Sequence, residues 1–138
     1  MNNIPPELVQ AFMETEYFVH ADPAFKMHIG QPCPELACLM AEQNALCAAF
    51  ITAWNPFAQA LSLTENEQRQ QELKAQLKTR GLSWIEGIGQ HPNNQWPGEP
   101  SVLILNLNRE SAKVLAAQYE QHAFVWADET AVPALVFA

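Results

Sequence analysis

LCAAFITAWNP occupies residues 46–56. Residues 46–54 carry no charge and a single hydroxyl, on Thr52, with Phe50, Ile51 and Thr52 together at the centre. The run is too short for a free-standing helix, it is rich in β-branched and aromatic residues, and Asn55-Pro56 cuts it off. It reads as a strand buried on both faces, because a strand with one face in water alternates apolar with polar residues. Residues 102–107, VLILNL, make a second run of the same kind. Both are expected in the interior of a sheet.

The flanking segments supply the rest of the architecture. Pro5 and Pro6 suit the first turn of a short helix carrying Leu8, Val9 and Phe12. Residues 17–22 and 24–29 read as two short strands broken at Pro23, and so as an edge hairpin, since proline lacks the N–H a ladder needs. Pro34 opens a helix with Leu36, Leu39 and Met40 on one face. A polar helix over residues 64–80 stops at Gly81, with Ser62 and Glu65, or Thr64 and Glu67, as its capping box. Residues 82–89 read as a strand and residues 91–100 as a Pro-, Asn- and Gly-containing loop. Asn108 caps a helix whose Ala112, Leu115, Ala116 and Tyr119 recur at helical spacing. Residues 123–127 and 132–137 form a closing hairpin. This order predicts an α+β fold in one domain spanning residues 1–138. Its sheet is expected to be mostly antiparallel, with a mixed sheet as the alternative, and its helices to pack mainly on one face.

With 49% hydrophobic and 16% charged residues the chain is globular. Its net charge is −8, and its seven Lys and Arg are scattered, so neither nucleic acid nor an anionic membrane is an expected partner. No stretch approaches a membrane span, and MNNIPPELVQ lacks the basic and apolar regions of a secretion signal. Cys33, Cys38 and Cys47 are odd in number and lack zinc-type spacing, which suits buried thiols in a reducing compartment and a cytoplasmic location. His20, Asp22 and His28 lie near one another, but Pro23 interrupts the strand that would align them, so no metal site is expected. The sequence holds no nucleotide or cofactor fingerprint: Gly87-Ile88-Gly89 lacks the third glycine of the dinucleotide motif.

The candidate site comes from the polar helix. Its inward stripe, Leu73 and Leu77, extends backward by helical spacing to Gln70, Arg69 and Asn66. The inward face is therefore polar in its first half, at the helix end whose free N–H groups favour an oxygen-bearing group. Asn55 leaves the buried strand one short loop earlier, so the two carboxamides converge. Trp96 and Glu99, in the loop before residues 102–107, supply a wall and an acid–base group. Asn55, Asn66, Arg69, Trp96 and Glu99 form the expected ligand-binding set. The competing reading makes Asn55 a turn residue, Asn66 a tidier of the first helical turn, and Trp96 a plug over the end of the sheet.

The same stretches, FITAWNP, SLTENEQRQ, GIG followed by W-P-x-E-x-S, and QHAFVW, occur in an order that resembles the DUF3293 family, a domain of unknown function. The resemblance covers residues 17–126. Its pattern falls on Thr52, Asn55, Pro56, Glu65, Asn66, Trp96, Glu99, Gln121 and Trp126. His122 stands where the pattern has Asn. The resemblance implies a small standalone bacterial protein and brings no reaction with it.

Three functions follow as expectations. The first is a binding module with a polar pocket for a small-molecule ligand at the Asn55 and Asn66 end of the central strand. The second is a homodimeric interaction domain joined through the C-terminal hairpin, whose apolar edge otherwise needs cover from the N-terminal helix. The third is an enzyme with Glu99 or a histidine as its acid–base group.

Overall fold

A computed structural model describes residues 4–93 and 97–138. In chain order the elements are α1 (Pro6–Glu14), β1 (Glu16–Val19), β2 (Phe25–Met27), α2 (Pro34–Glu42), β3 (Ala48–Ile51), a 3-10 turn (Pro56–Ala58), α3 (Leu63–Thr79), β4 (Trp84–Gln90), β5 (Glu99–Leu105), α4 (Arg109–Gln118), β6 (Ala123–Ala127) and β7 (Ala134–Phe137). The seven strands form one curled sheet in the order β2-β1-β4-β5-β3-β6-β7. Every pairing is antiparallel, so the α+β class is as expected and the mixed alternative is not realised. No helix among the described residues is long and apolar enough to cross a membrane.

β3 and β5 sit side by side in the interior, Phe50 opposite Leu103 and Ile51 opposite Val102. Both faces of β3 are buried, and each needs its own cover. Ala48 and Phe50 pack with Leu36 and Met40 of α2. Ala49 and Ile51 point the other way, to Leu73 and Leu77 of α3 and Leu115 of α4. Helices therefore lie on both faces. The two longest, α3 and α4, share one, and that much of the one-face expectation holds.

Strand boundaries differ from the pattern-based reading: β1 and β2 are shorter than residues 17–22 and 24–29, β4 is shifted from residues 82–89, and β3 stops at Ile51. Three further differences have a plain local reason. β3 begins at Ala48, not 46, and Leu46 is 73% exposed. Its N–H bonds the Asn106 side chain instead of a neighbouring strand. β5 begins at Glu99, three residues before the apolar run. Over those residues it has β4 on one side only, because its pairing with β3 stops at Val102. Pro100 is tolerated there, where no ladder donor is needed. β7 waits until Ala134, beyond Pro133.

The helix ends follow their caps. Ser62 and Glu65 make the capping box of α3, and the Asn108 side chain accepts the Ser111 N–H at 2.8 Å to start α4. Across the sheet face that carries α2, the rings of Tyr17 and Phe50 meet edge-on with centroids 5.4 Å apart. Gly87 makes this possible: a Cβ there would stand 2.4 Å from the Phe18 carbonyl oxygen and 2.8 Å from the Phe50 ring. Gly87→Ala is expected to lower stability by about 2 kcal/mol through overpacking. Gly89→Ala, whose nearest neighbour would lie at 3.6 Å, is expected to cost well under half of that. Urea unfolding of the two variants side by side checks the difference.

Candidate functional site

Beyond Ile51 the chain leaves the sheet, and its peptide groups need new partners. Side chains provide them. Gln70 of α3 accepts the Ala53 N–H at 3.0 Å, and Arg69 donates from Nε to the Ala53 carbonyl at 2.8 Å. The Thr52 hydroxyl accepts the Trp54 N–H, and Gln121 donates to the Trp54 carbonyl at 3.1 Å. Asn66 accepts the Asn55 N–H at 2.8 Å and returns an N–H to the Asn55 side-chain oxygen at 2.7 Å. Each polar residue of the first half of the inward face of α3 thus meets backbone, although the Gln70 amide nitrogen has no hydrogen-bond partner among the described residues. Asn66 and Gln70 are buried together with Leu73 and Leu77, as the helical spacing predicts.

Asn55 is the junction of this arrangement. Its backbone is left-handed, with φ of 46°. Asn tolerates that region better than most side chains. Its side-chain oxygen also accepts the Leu61 N–H at 3.1 Å, closing the loop over residues 55–61. Its side-chain N–H reaches the other way, to Glu99 Oε2 at 3.2 Å.

Glu99 stands at the wall of a cavity of about 580 Å³, between α1 and the sheet face that carries Phe50. That volume falls in the range of small-molecule sites. Leu8 and Phe12 of α1, Phe50, Val125 and Leu135 give it an apolar body. Asn55, Glu99, Gln121 and His122 form its polar end. Burial pushes the Glu99 carboxyl up to about 7, against the opposing pull of the Asn55 N–H. Glu99 is consequently divided between acid and carboxylate near neutral pH. His122 contacts the Phe57 ring at 5.2 Å between centroids, and its Nδ1 is buried with no hydrogen-bond partner among the described residues.

Of the five expected site residues, Asn55 and Glu99 line the cavity and touch each other. Asn66 does not line it, but orients Asn55 from behind. Arg69 is turned to the carbonyls of Ala53 and Tyr119 and to Glu120, away from the cavity. Trp96 lies outside the described residues. Residue patterns missed the contribution of α1 and of Leu135, which depends on a tertiary approach that local spacing does not encode. His122 carried one signal, as the position that departs from the resembled pattern.

Two outcomes follow. Asn66 is 2% exposed and serves three bonds, so Asn66→Ala is expected to cost about 2–3 kcal/mol in urea unfolding, with Leu73 and Leu77 packing unchanged. The Glu99 carboxyl is raised from 4.5 to about 7, so the folded state holds this proton more tightly than the unfolded chain. Its contribution is complete below about 4.5 and fades as pH rises to about 7, for a total on the order of 3 kcal/mol. Glu99→Gln is expected to flatten stability across that interval and leave the variant at least as stable as the wild type above it. Thermal melts across the pH series measure both.

Comparison with known proteins adds family membership. The family described as "Protein of unknown function (DUF3293)" matches residues 51–124, more than half of the chain, from the last residue of β3 to the start of β6. No curated protein matches the chain. No solved structure matches it either. The clamp around Asn55 and the Glu99 wall of the cavity both fall inside the matched segment, and the chain belongs to the DUF3293 family.

Proposed function

We propose that this protein is a small-molecule binding module whose ligand occupies the cavity between α1 and the sheet. The observation that carries the reading is the pairing of Asn55 with a buried carboxyl, Glu99, at the wall of a cavity of about 580 Å³. A buried ionisable group without a charged partner is costly to a fold and needs a reason. A guest that completes its hydrogen bonding supplies one. The apolar walls would provide binding energy by burial, and the few polar groups would orient the guest.

A second reading makes Glu99 an acid–base group. Its raised pKa of about 7 favours this, because a carboxyl divided between its two forms near neutral pH can take up and release a proton. Assembly is a separate matter. β7 is the last strand of the sheet and Phe137 is 47% exposed, which supports pairing of two copies through the C-terminal hairpin. Three free thiols, Cys33, Cys38 and Cys47, support a cytoplasmic location.

A thermal-shift screen of the wild type against a metabolite library tests the leading reading. Hits are expected to be lost in Leu135→Trp, which fills the cavity, and in Asn55→Ala. A hit kept unchanged by both variants would place the site elsewhere. Conversion of a hit by the wild type but not by Glu99→Gln would favour the enzyme reading over simple binding.

A further inference from the structure

The cavity's polar groups have a bias that its shape alone does not reveal. Four residues that line it carry hydroxyls, and each hydroxyl already donates its proton to a backbone carbonyl. Thr52 donates to Pro100 at 2.6 Å, Ser101 to Glu99 at 3.0 Å, Tyr17 to Phe12 at 2.6 Å, and Thr15 to Ala11 at 2.7 Å. A hydroxyl has one proton, so toward a guest these groups can only accept. The Gln121 amide nitrogen is engaged in the same way, donating to the carbonyls of Trp54 and Tyr119. What remains available is its oxygen. One proton of the Asn55 amide goes to Glu99. Among the described residues the lining includes no Lys or Arg; its ionisable side chains beside Tyr17 are His122, whose ring can donate or accept, and two carboxyls, Glu99 on the sheet and Glu7 on α1.

Such a surface suits a guest that donates hydrogen bonds and carries positive charge, and it opposes one that brings a carboxylate or phosphate. Leu8, Phe12, Phe50, Val125 and Leu135 give the lining a large apolar share, so the rest of the guest is apolar. The net charge of −8 works in the same direction by drawing cations toward the protein. We infer that the cavity takes a protonated primary amine on an apolar alkyl or arylalkyl body, with its ammonium group against Glu99 and its body along Phe50 and Leu135. This inference rests on the binding reading above and specifies the ligand class for it. Asn55, itself part of the lining, holds Glu99 in place through its side-chain N–H. Phe12 and Leu8 of α1 close over the tail.

The test is isothermal titration calorimetry of the 138-residue chain with unbranched primary amines from hexyl to dodecyl, and with phenylpropylamine. Each is paired with the alcohol and the carboxylate of the same skeleton. At least one amine is expected to bind, its alcohol about tenfold or more weakly, and its carboxylate not measurably. Glu99→Gln is expected to weaken amine binding about tenfold or more while leaving alcohol binding within about twofold. Leu135→Trp is expected to abolish both, with Ala123→Phe as a second cavity-filling variant should the first fail to fold. Alcohols or carboxylates binding as tightly as their amines, and lost in the cavity-filling variants, would overturn the amine assignment and leave the binding reading intact. Binding that survives the filled cavity, or no binding by any of the three series, would overturn the inference. Survival in the filled cavity would also count against the binding reading itself.

Discussion

The fold depends on how the chain leaves β3. A strand buried on both faces must end somewhere, and its last peptide groups then emerge into a region that water does not reach freely. Here α3 supplies the missing partners from its first turns. Gln70 and Arg69 take the N–H and the carbonyl of Ala53, and Asn66 takes the N–H of Asn55. A buried backbone group without a partner costs on the order of 1–3 kcal/mol, so these bonds constrain where α3 can lie. They also explain its composition. The second half of the inward face, Leu73 and Leu77, packs on the sheet, while the first half is polar because it faces backbone.

That constraint is transmitted to the loop that follows. Asn55, Phe57 and Ala58 all have positive φ, of 46°, 50° and 60°. For residues with a side chain this costs roughly 1 kcal/mol each, so the surroundings must impose it. They do so at both ends. Asn66 and Leu61 fix Asn55, and the Glu120 carbonyl accepts the Phe57 N–H at 2.6 Å. The result is a tight turn that brings Ala58 and Ala60 to the cavity and lays Phe57 on His122. Beside Glu99 of β5, the cavity's polar end is therefore built on a loop whose backbone is tied by hydrogen bonds at both ends.

Much of this was readable in the residues and some was not. The two apolar runs located the interior strands, because continuous hydrophobicity in a short segment has few other physical causes. Spacing from Leu73 back to Asn66 correctly identified the buried polar face of α3, since 3.6-residue periodicity applies to buried polar groups as much as to apolar ones. The purpose of that face could not be read the same way. A buried Asn serves a ligand or a neighbouring peptide equally well on a helical wheel, and only the position of Asn55 N–H distinguishes them. Arg69 illustrates the same limit. The start of β5 was missed because Glu99 and Pro100 are poor strand residues by composition, tolerated where one side of the strand is unpaired. Cover on the second sheet face was implied by residues 46–54 having no polar alternation, yet α2 is too short and too mixed in composition to announce which face it would take.

The character of the cavity follows from these same economies of structure. The ends of β3 and of α1 leave several carbonyls to be met by side chains, among them those of Pro100, Phe12 and Trp54. The nearest proton donors are the hydroxyls and the amide that line the cavity, and they turn toward those carbonyls. A hydroxyl that gives its proton to the wall keeps only acceptor capacity toward a guest. Glu99, held by Asn55, adds the strongest acceptor of the set when ionised. The acceptor-rich lining is thus a consequence of how the backbone is satisfied around the site. A protein that met the same backbone requirements with Lys or Arg, as Arg69 does on the far side of the clamp, would have left a cavity of opposite preference. In the amine reading, the placement of Arg69 outside the cavity and of Glu99 inside it sets the sign.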